Sequence, residues 1–311
     1  MKIVFMGTPV AAVPTLERIL QDGHEIIAVW TQPDKPAGRG NKLTAPPVKE
    51  FALQNDLQIY QPTKIKTSES LELFQTHQAN VAVVVAYGRI LPETFLQAFP
   101  LGAVNVHFSL LPKYRGAAPV NWAIVNGEEK TGVTTMQMDA GLDTGGILLQ
   151  RETEIGRDET AVELMQRLSL SGADLLSETL AMYNELTPQP QNDSEATFAP
   201  LMKKEDGLID WNLTAEEIEN RVRGFQPFPT SFTLLNSKKL TIWKAEVEVE
   251  NEKWIMDDTG EIMRAKGDDF VVGCGASSAL KIVELQLQGK RRMSVRDFLN
   301  GTKIEIGEKF E

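Results

Sequence analysis

"AVNVHFSLLPKYRGAAPVNWAI", residues 103–124, is the stretch on which the reading of this chain turns. Its small apolar residues make a strand, yet Asn105 and His107 stand on alternate positions. In a strand, residues i and i+2 point to the same side, so the two polar groups share one face. Ser109 continues the alternation as the chain leaves the sheet, and Leu111-Pro112 then favours an extended backbone. Buried polar groups without partners cost free energy, so this pair has either partners or a task.

Outward from that strand the pattern repeats. "KIVFMG" ends at Gly7 and is followed by a helical run from about Pro9 to Gln21; "HEIIAVWTQ" is a second strand. "ANVAVVVAYG" is a continuous apolar run, as expected of a strand covered on both faces. "TGVTTMQM" and "GILLQRETEI" predict a hairpin around the turn-rich "DAGLDTGG", and Thr160 to Glu163 is a capping box opening a helix with a break near Gly172. Residues 34–50, rich in Pro, Gly and Lys, read as a long loop. Strands alternating with helices predict an α/β fold with an open, mostly parallel Rossmann-like sheet. "TPQPQNDSEATFAPLMKKEDG" is polar and Pro-containing and reads as a linker. After it come one capped helix, Thr214 to Arg223, and short alternating strands that predict a small C-terminal β-barrel, OB-like. The expected domains are therefore 1–188, a linker over 189–207, and 208–311. Neither G-x-G-x-x-G nor G-x-x-x-x-G-K-[ST] follows the first strand, so the scaffold lacks the usual phosphate loops. No G-x-S-x-G elbow makes Ser109 a hydrolase nucleophile.

Composition narrows the class. A hydrophobic content of 42% with 24% charged residues is that of a globular protein. No apolar run is long enough to span a bilayer, the N-terminus lacks the pattern of a secretion signal, and Cys274 is the only cysteine; a cytoplasmic location and no membrane partner are expected. With three histidines and no His/Cys cluster, no metal site is expected. His24 and His77 read as surface residues and Cys274 as a small core residue. The net charge of −11 argues against a polyanionic partner, but two stretches run the other way: residues 34–49 carry net +3 and residues 290–303 net +4. A polyanion would be met by these patches.

In open α/β sheets ligands bind beyond the carboxyl ends of the strands, where Asn105 and His107 lie. Asp139 and Asp143 supply carboxylates among glycines that permit close approach to a ligand. An Asn amide to donate to an oxyanion, a His to move a proton and an Asp to orient it together suit acyl transfer to an amine. From spacing alone, Asn105 and His107 as satisfied core polar groups remains an open alternative.

"NVHFSLLPKYRGAAPVNWAI" together with "MDAGLDTGGILLQ" closely resembles the signature of the folate-dependent formyltransferases. The resemblance extends over essentially the whole chain: "FMGTP", "TQPDKPAGRGNKLTAPPVKEFA", "ATFAPLMKKEDGLIDW" and "QLQGKRRMSVRDFLNG" are similar to the members that act on a charged initiator tRNA. It implies the formyltransferase fold, Asn105, His107 and Asp143 as the catalytic trio, and Ser109, Leu110, Leu111 and Pro112 lining the folate site with backbone around Ala86 to Leu91. It implies Lys35, Arg39 and Lys42 as the tRNA-gripping insertion. The co-substrate implied is 10-formyltetrahydrofolate, without a metal; the acceptor is initiator methionyl-tRNA, and a monomer is expected. Ala11, Phe108 and Phe228 depart from the family pattern at positions that concern packing or strand facing. Rival readings are a formyltransferase acting on a sugar-nucleotide amine, a hydrolase releasing formate, and a non-catalytic folate- or RNA-binding protein. The basic loop and basic C-terminal segment favour the tRNA acceptor.

Overall fold

The computed structural model describes residues 1–38, 40–248 and 259–310. In chain order its elements are β1 (Lys2–Gly7), α1 (Val13–Gln21), β2 (Glu25–Trp30), β3 (Lys35–Ala37), β4 (Lys42–Thr44), α2 (Pro47–Gln54), β5 (Ile59–Tyr60), α3 (Ser68–Gln75), β6 (Val81–Val85), α4 (Glu93–Leu96), β7 (Ala103–His107), β8 (Arg115–Gly116) and α5 (Pro119–Val125). There follow β9 (Lys130–Gln137), β10 (Ile147–Glu154), α6 (Ala161–Ala181), β11 (Phe198–Ala199), α7 (Ala215–Gly224), β12 (Ser231–Leu235), β13 (Lys238–Val247), β14 (Ile262–Lys266), β15 (Asp269–Cys274), β16 (Ser278–Leu287), β17 (Met293–Ser294) and α8 (Val295–Gly301). They form two compact units: residues 1–119, 130–154 and 165–199, and residues 120–129, 155–164 and 200–311.

The first unit is built on a seven-stranded sheet in the order β10-β9-β7-β6-β1-β2-β5. From β7 to β5 every pairing is parallel; β9 runs antiparallel to β7, and β10 to β9. The mostly parallel sheet is therefore the one expected. β6, "VAVVV", is buried at all of its positions, as a β-branched run covered on both faces must be. The Thr160 box, whose residues belong to the second unit, forms as read: the Thr160 N–H donates to Glu163 Oε2 at 2.9 Å.

Three local expectations change. α6 runs unbroken through Gly172, because a Cβ there would meet Val106 Cγ1 at 2.8 Å; the glycine lets helix and sheet approach closely. The expected loop over 34–50 contains a hairpin, Lys35 opposite Thr44 and Ala37 opposite Lys42, and then α2. His77 is no free surface residue: its ring, half-buried, accepts the Trp30 indole N–H at 3.0 Å beside Phe74 and Tyr60. This aromatic cluster fills the core under β2 and β6 with Phe95 and Phe99.

The second unit holds an antiparallel sheet in the order β12-β13-β16-β15-β14, with β17 on β16. Among the described residues no ladder joins β12 to β14. α7 starts at a capping box, Thr214 with Glu217, and buries Ala215, Ile218 and Val222 among Leu240, Ile242 and Ile282. Cys274 lies in this core, where burial pushes its thiol up to about 12 and keeps it a packing residue.

Only the neutral ring of His77 offers the indole a lone pair, and burial lowers its pKa from the ordinary 6.5. Its stabilising contribution is therefore fully present above pH 6.5 and is lost as pH falls from there through the lower folded-state value. Urea midpoints of the wild type and His77→Gln, compared at about pH 7.5 and about pH 5, should show a smaller pH-dependent loss in the variant, by about 1 kcal/mol, the net value of one hydrogen bond. Equal losses in both proteins refute the assignment.

Candidate active site

β7 delivers Asn105 and His107 to the carboxyl edge of the sheet from between β6 and β9, with Asn105 opposite Met136 and His107 opposite Thr134. His107 is only 6% exposed. Its Nε2 lies 3.0 Å from the Tyr114 carbonyl oxygen. A carbonyl can only accept, so Nε2 carries the proton and donates it, and Nδ1 is the nitrogen left for chemistry. Nδ1 lies 3.8 Å from Asp143 Oδ2, longer than a hydrogen bond, and the two make an ion pair only once the ring has taken up a second proton. The Gly116 N–H donates to the same Asp143 oxygen at 2.8 Å. The Oδ1 of Asn105 is buried with no hydrogen-bond partner. An orphaned amide oxygen beside a buried imidazole is costly in a mere core position and is explicable in a site that takes a ligand.

Residue type did not separate the two carboxylates of the β9–β10 turn; geometry does. Asp139 Oδ1 accepts from the Gly141 N–H and the Thr144 hydroxyl, stapling the turn. Asp143 faces His107 from a left-handed backbone, φ +53°, which Asp tolerates better than most residues. Gly145 has no room for a side chain, since a Cβ would sit 1.8 Å from the Gln137 carbonyl oxygen.

The predicted folate-lining turn, Ser109 to Pro112, lies directly beyond His107 and is tied down. Ser109 Oγ donates to Lys113 O at 2.6 Å, while the Thr134 hydroxyl donates to Ser109 O and accepts from the Leu111 N–H. Gln150 Nε2 donates to Leu111 O. Ser109 and Leu111 are buried; Leu110 and Pro112 are half-buried. Two clefts open elsewhere in this unit. A cleft of about 660 Å³ is lined by Leu96, Phe99, Gln137, Met138, Asp139 and Tyr183. A second, of about 510 Å³, is lined by Ile65, Leu71, Ile90, Leu91 and Phe95. Ala140, from the turn that carries Asp143, borders both. Neither lining includes residues 109–112. Apart from Gln137 and Asp139 these wall residues are apolar or aromatic, belong to several elements and in sequence look like ordinary core; the sequence singles out only Asp139, its neighbours in the β9–β10 turn and the run after β6.

Of the predicted basic contacts, Lys35 and Lys42 are exposed on β3 and β4, and Arg39 lies outside the described residues. Lys49 is committed to Asp34 at 2.8 Å. In the second basic stretch Arg292 pairs with Glu284, Arg296 with Asp268, and Lys303 with Glu305, and Lys290 and Arg291 are exposed. Among the described residues no group of three or more His, Cys, Asp or Glu side chains could hold a metal ion, and no helix is long and apolar enough to cross a membrane.

The formyl transferase family model matches residues 1–180, and that of the formyl transferase C-terminal domain matches residues 201–303. The methionyl-tRNA formyltransferase of Geobacter metallireducens is 48% identical over 309 residues, 99% of this chain and 97% of that one. That of Alkaliphilus oremlandii is also 48% identical, over 99% of this chain and 98% of its own. Among solved structures, the N-formyltransferase of Helicobacter canadensis in complex with folinic acid and dTDP-3-aminofucose aligns with a TM-score of 0.67 at 22% identity, covering 91% of this chain and 98% of that one. HypX of Aquifex aeolicus in complex with tetrahydrofolic acid aligns at 0.61 and 15%, covering 99% of this chain and 50% of that one. At such identities the likeness is one of fold.

Gly116 supplies the N–H that holds Asp143, at φ +127° and with a Cβ position 2.5 Å from the Ala199 carbonyl oxygen. Gly116→Ala should lower stability by about 2 kcal/mol or more, read as a fall in the thermal midpoint. An unchanged midpoint would mean that this segment is not held as described.

Proposed function

Because the chain belongs to the formyl transferase family in both of its matched regions, we propose that it transfers the formyl group of 10-formyltetrahydrofolate to the α-amino group of methionine on a charged initiator tRNA, the step that prepares this tRNA for translation initiation. What carries the choice of acceptor is the 48% identity to methionyl-tRNA formyltransferases across 99% of the chain. The enzyme is a one-carbon group transferase. The clefts of about 660 and about 510 Å³ fall within the roughly 300–1,000 Å³ of ligand pockets and share Ala140, but neither is lined by Asn105, His107, Asp143 or residues 109–112.

The chemistry follows from the protons. The neutral amine attacks the formyl carbon and produces a tetrahedral oxyanion, which the Asn105 amide stabilises as a donor; one such donor is worth roughly 2.7–4 kcal/mol. The nitrogen that attacked is now an ammonium and must lose a proton, while N10 of the folate must gain one to leave. His107 Nε2 is occupied by Tyr114 O, so Nδ1 takes that proton. The resulting imidazolium faces the Asp143 carboxylate, then passes the proton to N10. The products are formyl-methionyl-tRNA and tetrahydrofolate, and no proton is left over.

An acidic protein needs a local cationic surface to receive a tRNA acceptor end. Lys35 and Lys42, both exposed on the β3–β4 hairpin, support that role, and Arg39 lies between them in sequence. A sugar-nucleotide acceptor has no comparable need.

With 10-formyltetrahydrofolate supplied, release of free tetrahydrofolate should follow on adding charged initiator tRNA and not on adding a dTDP-amino sugar; the reverse outcome refutes the acceptor. His107→Ala, Asn105→Ala and Asp143→Asn should each lower kcat by about a hundredfold or more while folate binding persists. A folded His107→Ala protein with ordinary turnover would rule out the proton route.

The hairpin is tested separately. Arg39→Ala should reduce kcat/KM for tRNA at least about tenfold, some 1.4 kcal/mol. Lys42→Ala should flatten the salt dependence by somewhat under about one unit. Wild-type tRNA kinetics in both variants would remove this surface from the acceptor site.

A further inference from the structure

Gln191 belongs to a polar stretch that sequence composition assigns to a linker, yet in the first unit its side-chain amide links the turn that carries Asp143 to Arg115. Its Nε2 donates to the main-chain oxygens of Asp143 and Gly145, both at 2.8 Å. Its Oε1 accepts from Arg115 Nε at 3.0 Å and Nη2 at 2.8 Å. The orientation of the amide is unambiguous, because carbonyls can only accept and a guanidinium can only donate. Arg115 is itself buried and also pairs with Asp193 at 2.8 Å. Gln189 anchors the segment by a reciprocal main-chain pair with Ile147, both bonds 2.8 Å.

We propose that Gln191 is a positioning residue for formyl transfer, acting through Asp143. The adjacent residues Arg115 and Gly116 hold Asp143 at both ends. Gly116 binds the carboxylate directly, and Arg115 binds the main chain through Gln191. Asp143 sits in a left-handed conformation, which Asp tolerates better than most residues but which still costs free energy that surrounding contacts must offset. The Gln191 amide supplies such contacts by bridging the carbonyls on either side of Thr144. Without it the turn relaxes and the Asp143 carboxylate leaves its station 3.8 Å from His107 Nδ1. The imidazolium formed during proton transfer then loses its counter-charge. This role rests on the proton route given above for His107 and Asp143.

The test uses the full-length enzyme with 10-formyltetrahydrofolate and charged initiator tRNA, in four variants: Gln191→Ala, Gln191→Glu, Asp143→Asn, and Gln191→Ala with Asp143→Asn. Gln191→Glu keeps the length and the Arg115 partner but sets a carboxylate against two carbonyl oxygens, so it preserves the anchor and loses the clamp. Both single Gln191 variants should lose kcat by about tenfold or more with KM for each substrate within about twofold. In the Asp143→Asn background, Gln191→Ala should cause no further loss in single-turnover rate, because residues acting as one unit are not additive. Full kcat in folded Gln191→Glu, or an additive loss in the double variant, overturns the positioning role. His107→Ala run alongside separates the two levels. Ordinary turnover in it refutes the catalytic reading itself, whereas impaired His107→Ala beside unimpaired Gln191 variants refutes only the clamp.

Discussion

The hydrogen bond from His107 Nε2–H to the Tyr114 carbonyl is the contact on which the rest of the site depends. An imidazole has two nitrogens and, when neutral, one proton. By claiming the Nε2 proton, Tyr114 settles the tautomer, turns Nδ1 toward Asp143 and leaves it free to receive a proton. Tyr114 can do this only because its own segment is fixed. The Tyr114 N–H donates to Thr197 Oγ1 at 2.9 Å, and β8 pairs in parallel with β11. Two residues further on, Gly116 binds the Asp143 carboxylate. The three-residue strap Tyr114–Gly116 therefore sets both partners of the proposed proton-transfer pair, and it is sutured to residues 197–199.

That arrangement accounts for features that would otherwise be costly. Buried polar groups are tolerated where every hydrogen bond is made, and the turn beyond His107 meets this requirement through Ser109, Thr134 and Gln150. The exception is the Asn105 side chain, whose Oδ1 has no partner. The open Oδ1 is an acceptor that a ligand N–H or O–H can meet, while the oxyanion role proposed for Asn105 falls to the N–H of the same amide. The left-handed backbone of Asp143 is a further cost, offset by the amide clamp from Gln191.

Charge is distributed with similar economy. The chain carries −11 overall, so any polyanion must be met locally. In the C-terminal basic stretch Arg292, Arg296 and Lys303 have carboxylate partners. Exposed pairs of this kind contribute little to stability, but they reduce the cationic field that a residue count suggests. On the β3–β4 hairpin, Lys49 is neutralised by Asp34, whereas Lys35 and Lys42 project from a short paired ribbon. A ribbon loses less entropy than a free loop when it is ordered against a partner.

The sequence alone was enough for a mostly parallel sheet and for the chemical types at its edge, though not for the strand order or for β5. Periodicity is local: alternation puts Asn105 and His107 on one face, an all-apolar run makes β6 a covered strand, and Thr160 and Thr214 announce their helices. Where the answer depended on residues distant in the chain, sequence could not supply it. Asp139 and Asp143 are equivalent by residue type; the resemblance names Asp143, and the positions of Gly116 and His107 give the physical reason that separates a turn staple from the proposed catalytic partner. Gly172 resembled a helix break because its close neighbours are Val106 and Val133, on other elements. Gln191 looked like linker because an amide carries no sign of what it binds, and its three partner residues lie 46 to 76 positions away. Hydrogen bonds made across such separations exist only after the chain has closed on itself, so the tertiary structure, not the local pattern, decided how this site is held.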